Sequence, residues 1–109
     1  MAEAARRAVF KALADPTRRE ILALLRDRRR PAGEIAARFS VSRPAISKHL
    51  RLLRQARLVV ETRQGRERLY QLNAAPLKSV DDWLVAYRGF WRTQLQNLKH
   101  HVENESGEA

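Results

Sequence analysis

The stretch Glu34-Ile35-Ala36-Ala37-Arg38-Phe39-Ser40-Val41-Ser42-Arg43-Pro44-Ala45-Ile46-Ser47-Lys48-His49-Leu50 leaves few folds open. A short apolar-periodic segment, 32–39, meets a tight turn at Ser40-Val41-Ser42. A second segment, 43–55, follows with Ile46, Leu50 and Leu53 on one face. Ser42 is a good N-cap for this second segment. Ala36 stands where the two helices cross, and a large side chain there would force them apart. Ile35, Phe39, Val41 and Ile46 are expected to fill the small core between them. This is the helix-turn-helix pattern over residues 32–55.

Most of the remaining chain also reads as helix. Ala5, Val9, Ala12 and Leu13 give a helix over 3–13. Asp15 caps a second over 16–27, with Pro16 as its first residue and Ile21, Leu24 and Leu25 as its stripe. The run Arg28-Arg29-Arg30-Pro31 ends it and reads as a solvated loop. The exception is 58–73. Strand formers flank Gln64-Gly65-Arg66-Glu67, a hairpin loop, and Tyr70 and Leu72 share one face of the second strand. A long amphipathic helix then runs from Pro76 to about Glu103. Leu77, Val80, Leu84, Tyr87, Trp91, Leu95, Leu98 and Val102 step along it by three or four residues. Residues 106–109 are expected to fray. A basic hairpin placed directly after a helix-turn-helix makes a winged helix. The predicted fold is therefore mainly α, with about five helices and a two-stranded β-hairpin wing, in one DNA-binding domain over 1–105.

Charge points the same way. The 109 residues hold 22 Lys and Arg against 12 Asp and Glu, a net of +10. Thirteen of the basic residues lie between 26 and 68, where only Asp27, Glu34, Glu61 and Glu67 oppose them. So strong an excess calls for a polyanionic partner, nucleic acid before an anionic membrane surface. There is no cysteine, which excludes disulfides, thiolate metal sites and a cysteine nucleophile. No apolar run reaches the ~18 residues of a membrane span, and the start lacks a secretory signal pattern, so a cytoplasmic location is expected. The four glycines are scattered, and no acid/base pair or Ser/His/Asp arrangement can be assembled. The sequence predicts a protein that is not an enzyme and has no cofactor.

Two segments go beyond pattern. Phe10-Lys11-Ala12-Leu13-Ala14-Asp15-Pro16-Thr17-Arg18-Arg19-Glu20-Ile21-Leu22 and Ser42 to Leu50 resemble the ArsR/SmtB (arsenic-repressor) family of bacterial winged-helix transcriptional regulators. The resemblance covers about residues 5–100. It implies a homodimer whose first and last helices, 1–14 and 76–103, pair across a two-fold axis. The spacing of Trp83, Tyr87, Phe90-Trp91 and Leu95 to Leu98 resembles a metal-independent, autorepressor-like subgroup. A family metal site uses an Asp with a His two residues on. Here Asp82 is followed by Trp83 and Leu84, and Leu95 takes the place of a later His. His100 with Glu103, or His101 with Glu105, offers only two ligands, so no metal site is assigned. The family turn usually carries Gly where Ser40 stands, so strain of about 1 kcal/mol is expected there.

The expected function is sequence-specific, dimeric repression at an inverted-repeat operator on double-stranded DNA. A metal-responsive version and a non-specific nucleic-acid-binding module are the alternatives. Expected DNA contacts are Ser42, Arg43, Pro44, Ser47, Lys48, His49 and Arg51 from the recognition helix, and Arg63, Gln64, Gly65, Arg66 and Arg68 from the wing. Expected dimer contacts are Val9, Leu84, Tyr87, Trp91, Leu95 and Leu98. Gly89, mid-helix, suggests close approach of another element. No membrane partner is expected, and no effector is named.

Overall fold

In the computed structural model, which describes residues 2–107, Asp15 and Ser42 each open a helix. Helix α1 spans Ala2–Leu13 and α2 spans Pro16–Leu24. The Asp15 carboxylate accepts the Arg18 backbone N–H at 3.1 Å. Arg18 and Arg19 then reach back across the turn. Arg18 Nε donates to the Ala12 carbonyl at 2.7 Å, its Nη2 to Lys11 at 3.0 Å, and Arg19 Nη1 to Leu13 at 2.8 Å. Carbonyls at a helix C-terminus lack partners within the helix, and these two guanidinium groups supply them. Helix α2 stops at Leu24 and not at 27: after Leu25 the Arg26 N–H turns back to the Ala23 carbonyl, three residues away, and the α-helical ladder ends.

Two residues, Arg30–Pro31, then form a strand, β1, that the sequence reading treats as loop. Helix α3 (Ala32–Ala37) and helix α4 (Arg43–Gln55) make the helix-turn-helix. Ser42 Oγ accepts from the Ala45 N–H at 3.3 Å, which fixes the start of α4. Strands β2 (Val59–Gln64) and β3 (Glu67–Leu72) make the hairpin, with Gln64 opposite Glu67. Gly65 takes a φ of 63°, and no other residue of the two-residue turn has positive φ. That is the sign pattern of a type II′ turn, which needs glycine first. The sheet order is β1-β3-β2, antiparallel throughout, so β3 is central. Pro31 is tolerated in β1 because that strand is an edge.

The core of residues 1–78 is built by Ile21, Ile35, Ile46, Leu53 and Leu58, all almost fully buried. Ile35 and Ile46 close the space between α3 and α4. Phe39 is half-buried, and Val41, expected in that core, is 42 % exposed in the turn. Val9, expected at a dimer seam, is 3 % exposed. Its side chain is occupied by the chain's own core and leaves little surface for a second subunit.

Strain falls in a different place from the one expected. Among the described residues Arg57 is the one non-glycine with positive φ, at 62°, so Ser40 is relaxed. Arg57 follows the C-cap of α4. Its N–H bonds to Arg54, and the Leu58 N–H bonds to Leu53 at 3.0 Å. This pair of bonds is the Schellman motif, and the buried Leu53 and Leu58 are its apolar contact. Glycine is the usual residue at this position. Arg57→Gly should therefore raise stability by up to about 1 kcal/mol. Urea denaturation checks this, and a loss of stability would refute it.

A 3-10 turn, Ala75–Leu77, leads to α5, Lys78–Gly107. From Ser79 onward the described residues form a second compact unit. Of the tail expected to fray, 106 and 107 are helical, and 108 and 109 lie outside the described residues.

Candidate nucleic-acid interface

Helix α4 has two unlike faces. Ile46, Leu50 and Leu53 are buried against the core. Pro44, Ser47, Lys48 and Arg51 are exposed away from that face, and Arg43 is exposed on its flank, next to α3. The amide groups of its first turn carry the positive end of the helix dipole, which favours a phosphate. Arg43 is the first residue of the helix. A Cβ on Gly33 would stand 3.2 Å from Arg43 Nη2, so glycine in α3 leaves room for that guanidinium. This role of Gly33 is missing from the sequence reading.

His49 does not join that face. It lies one turn beyond Ile46, on the flank next to the core, and is half-buried. Its Nδ1 is 3.2 Å from Arg18 Nη1 and 3.9 Å from the Asp15 carboxylate. Burial pushes the Asp15 carboxyl upward, but the Arg18 N–H and the neighbouring His49 and Arg18 outweigh it and hold it below its ordinary range. His49 thus ties the recognition helix to the start of α2.

The wing presents Arg63, Gln64, Gly65, Arg66 and Arg68, all exposed. Arg63 and Arg68 are directly opposite across the hairpin. Like charges in that position repel, and an anion between them relieves the repulsion. A groove runs between α4 and the hairpin. Pro44, Ser47, Lys48, Arg51 and Arg68 line it, with Arg54, Glu61 and Tyr70. The last three are not among the expected DNA contacts. The signal was available for two of them. A two-residue turn that sets Gln64 against Glu67 also sets Glu61 against Tyr70. Their bond is formed, Tyr70 Oη donating to Glu61 Oε2 at 2.9 Å.

Along α5, Tyr87 is 43 % exposed, Trp91 47 %, Leu95 65 % and Leu98 60 %. Tyr87 and Trp91 stack with ring centroids 6.5 Å apart. Leu84 is partly exposed. Among the described residues a Cβ on Gly89 would meet nothing within 4 Å. Near the helix end, His100 Nε2 lies 3.1 Å from Asn104 Nδ2. Among the described residues no three His, Cys, Asp or Glu stand together as a metal site. The Glu105 side chain lies outside them. No helix described is long and apolar enough to cross a membrane.

A capped two-helix motif with a basic outer face, followed by a basic hairpin, defines a winged helix-turn-helix protein that binds DNA. The family described as "Bacterial regulatory protein, arsR family" matches residues 15–60. The transcriptional repressor SdpR of Bacillus subtilis is 43 % identical over 79 residues, 72 % of this chain and 88 % of that one. The HTH-type transcriptional regulator Rv2034 of Mycobacterium tuberculosis is 36 % identical over 100 residues, 92 % of this chain and 91 % of that one. The solved structure of an ArsR-like transcriptional regulator from Rhodococcus sp. RHA1 superposes with a TM-score of 0.68 at 37 % identity, covering 90 % of this chain and 92 % of that one. The chain belongs to the ArsR family of bacterial DNA-binding transcriptional regulators.

Proposed function

We propose that the chain works as a cytoplasmic homodimer that reads an inverted-repeat operator and represses transcription by occupying it, with no catalytic step. The observation that carries this reading is the division of α4. Its apolar face is buried in the core, while Arg43, Pro44, Ser47, Lys48 and Arg51 are exposed and all of them but Arg43 line the groove beside the wing. Arg43, Ser47 and Lys48 reach base edges or the adjoining backbone in the major groove. Arg63, Arg66 and Arg68 hold the flanking phosphates or the minor groove. The exposed stripe of α5, from Tyr87 to Leu98, supports the dimer, whose two recognition helices would stand about 34 Å apart.

The test is selective loss. Arg43→Ala should weaken binding to a site selected from random duplexes by about 1–3 kcal/mol and binding to random DNA by less. Fluorescence anisotropy on the two duplexes measures both. Equal losses would reduce Arg43 to a phosphate contact. Wild-type protein that cannot distinguish the two duplexes would make the chain a non-specific binder and end the operator reading.

A further inference from the structure

The groove between α4 and the wing holds a carboxylate among cations. Lys48, Arg51, Arg54 and Arg68 line it, and so does Glu61. A negative charge beside a polyanion is unfavourable, so its presence needs a reason. Its partners supply one. A single oxygen, Glu61 Oε2, accepts from Tyr70 Oη in β3 at 2.9 Å and from Arg54 Nη1 at the end of α4. Tyr70 is 6 % exposed and fixed in the central strand, so it anchors the carboxylate. Burial pushes the Glu61 carboxyl upward, but Tyr70, Arg54 and Arg68 outweigh it and hold it below its ordinary range. The group is therefore ionised at neutral pH. Its side chain is 21 % exposed, against 48 % for Arg54. The less exposed partner of the pair is the acid, and the arginine is drawn back to it.

We propose that Glu61 is a positioning residue for DNA recognition, one that holds Arg54 away from the phosphate backbone while it fastens the wing to the end of the recognition helix. The inference rests on the groove facing DNA, as in the reading above. Each arginine that neutralises a phosphate adds affinity for any sequence alike. Withholding Arg54 lowers that common background and leaves a larger share of the affinity to α4. The same bond sets the distance between wing and helix, so both elements meet the duplex together.

The salt dependence of binding to a random-sequence duplex tests this, because a merely structural role would not move it. Glu61→Gln releases Arg54. It should bind random DNA more tightly and steepen the plot of log affinity against log salt by about 0.9, one additional phosphate. Arg54→Gln should leave the wild-type slope unchanged. The double variant should return to that slope. A wild-type slope in folded Glu61→Gln would overturn the proposal. So would Arg54→Gln flattened by about 0.9, since Arg54 would then already hold a phosphate. Circular dichroism checks the fold of each variant. Arg54 is half-exposed, so its substitution decides the matter even where Glu61→Gln does not fold. Wild-type protein with no salt-dependent binding would overturn the interface reading and this inference with it.

Discussion

Trp91→Asp combined with Leu95→Asp should convert dimers to monomers and lower affinity for a selected inverted repeat by about 10²–10⁴-fold, the advantage of two linked half-site contacts over one. Both side chains are about half-exposed or more on α5. Charge there costs the helix little while it is bare, and costs a great deal once a second copy covers it. Residues 1–78 bury their own core, so they should stay folded in the variant. Sedimentation velocity measures the mass, and anisotropy measures binding to whole and half operators. The dimer proposal fails if the variant sediments as a dimer, or if wild-type protein is monomeric at micromolar concentration. Tight binding of wild type to a single half-site would also end it.

Arg30→Ala should lower unfolding free energy by about 2–3 kcal/mol. Arg30 is 6 % exposed, and its guanidinium spans three segments. Its Nε donates to the Leu24 carbonyl at 2.9 Å, Nη1 to Glu34 at 2.8 Å and Nη2 to Asp27 at 3.1 Å. The substitution removes the donor that closes α2 and the cation between two carboxylates. Asp27 and Glu34 keep partial access to water, which limits the loss. Urea denaturation gives the value, and a change under about 0.5 kcal/mol, the range of an ordinary surface substitution, would refute the role.

The same network makes stability depend on pH. The Arg28 hydrogen bond, and after it Arg30, hold the Glu34 carboxyl below its ordinary range against the opposing effect of burial. A carboxyl lowered in the folded state favours folding when ionised. Its contribution is complete above the ordinary Glu value of about 4.3 and is lost as pH falls through the lowered value. The stability of Arg30→Ala should accordingly fall less steeply in that acid window.

What could be read directly from the chain was local. Asp15-Pro16 and Ser42-Arg43-Pro44 mark helix starts because a cap bonds an amide three residues away, a distance the backbone itself sets. Gly65 marks the hairpin for the same reason, and the faces of α4 follow from helical period alone. Basic charge clustered between 26 and 68 gave the partner class, since net charge needs no geometry. What the chain concealed depends on segments meeting. Two residues are too few to show a strand's alternation, so β1 stays hidden until β3 lies beside it. Arg28-Arg29-Arg30 looks like a solvated run, yet Arg30 is buried once Leu24 and Glu34 converge on it. His49 shares a helix with Lys48, but Asp15 and Arg18, over thirty residues earlier, decide which way it is held. Glu61 counts as one negative charge in the composition. The hairpin register already sets Tyr70 against it, but only the packing of the wing against α4 brings Arg54 to the same oxygen, because that contact is set by the distance between two elements and not by the order of residues within either.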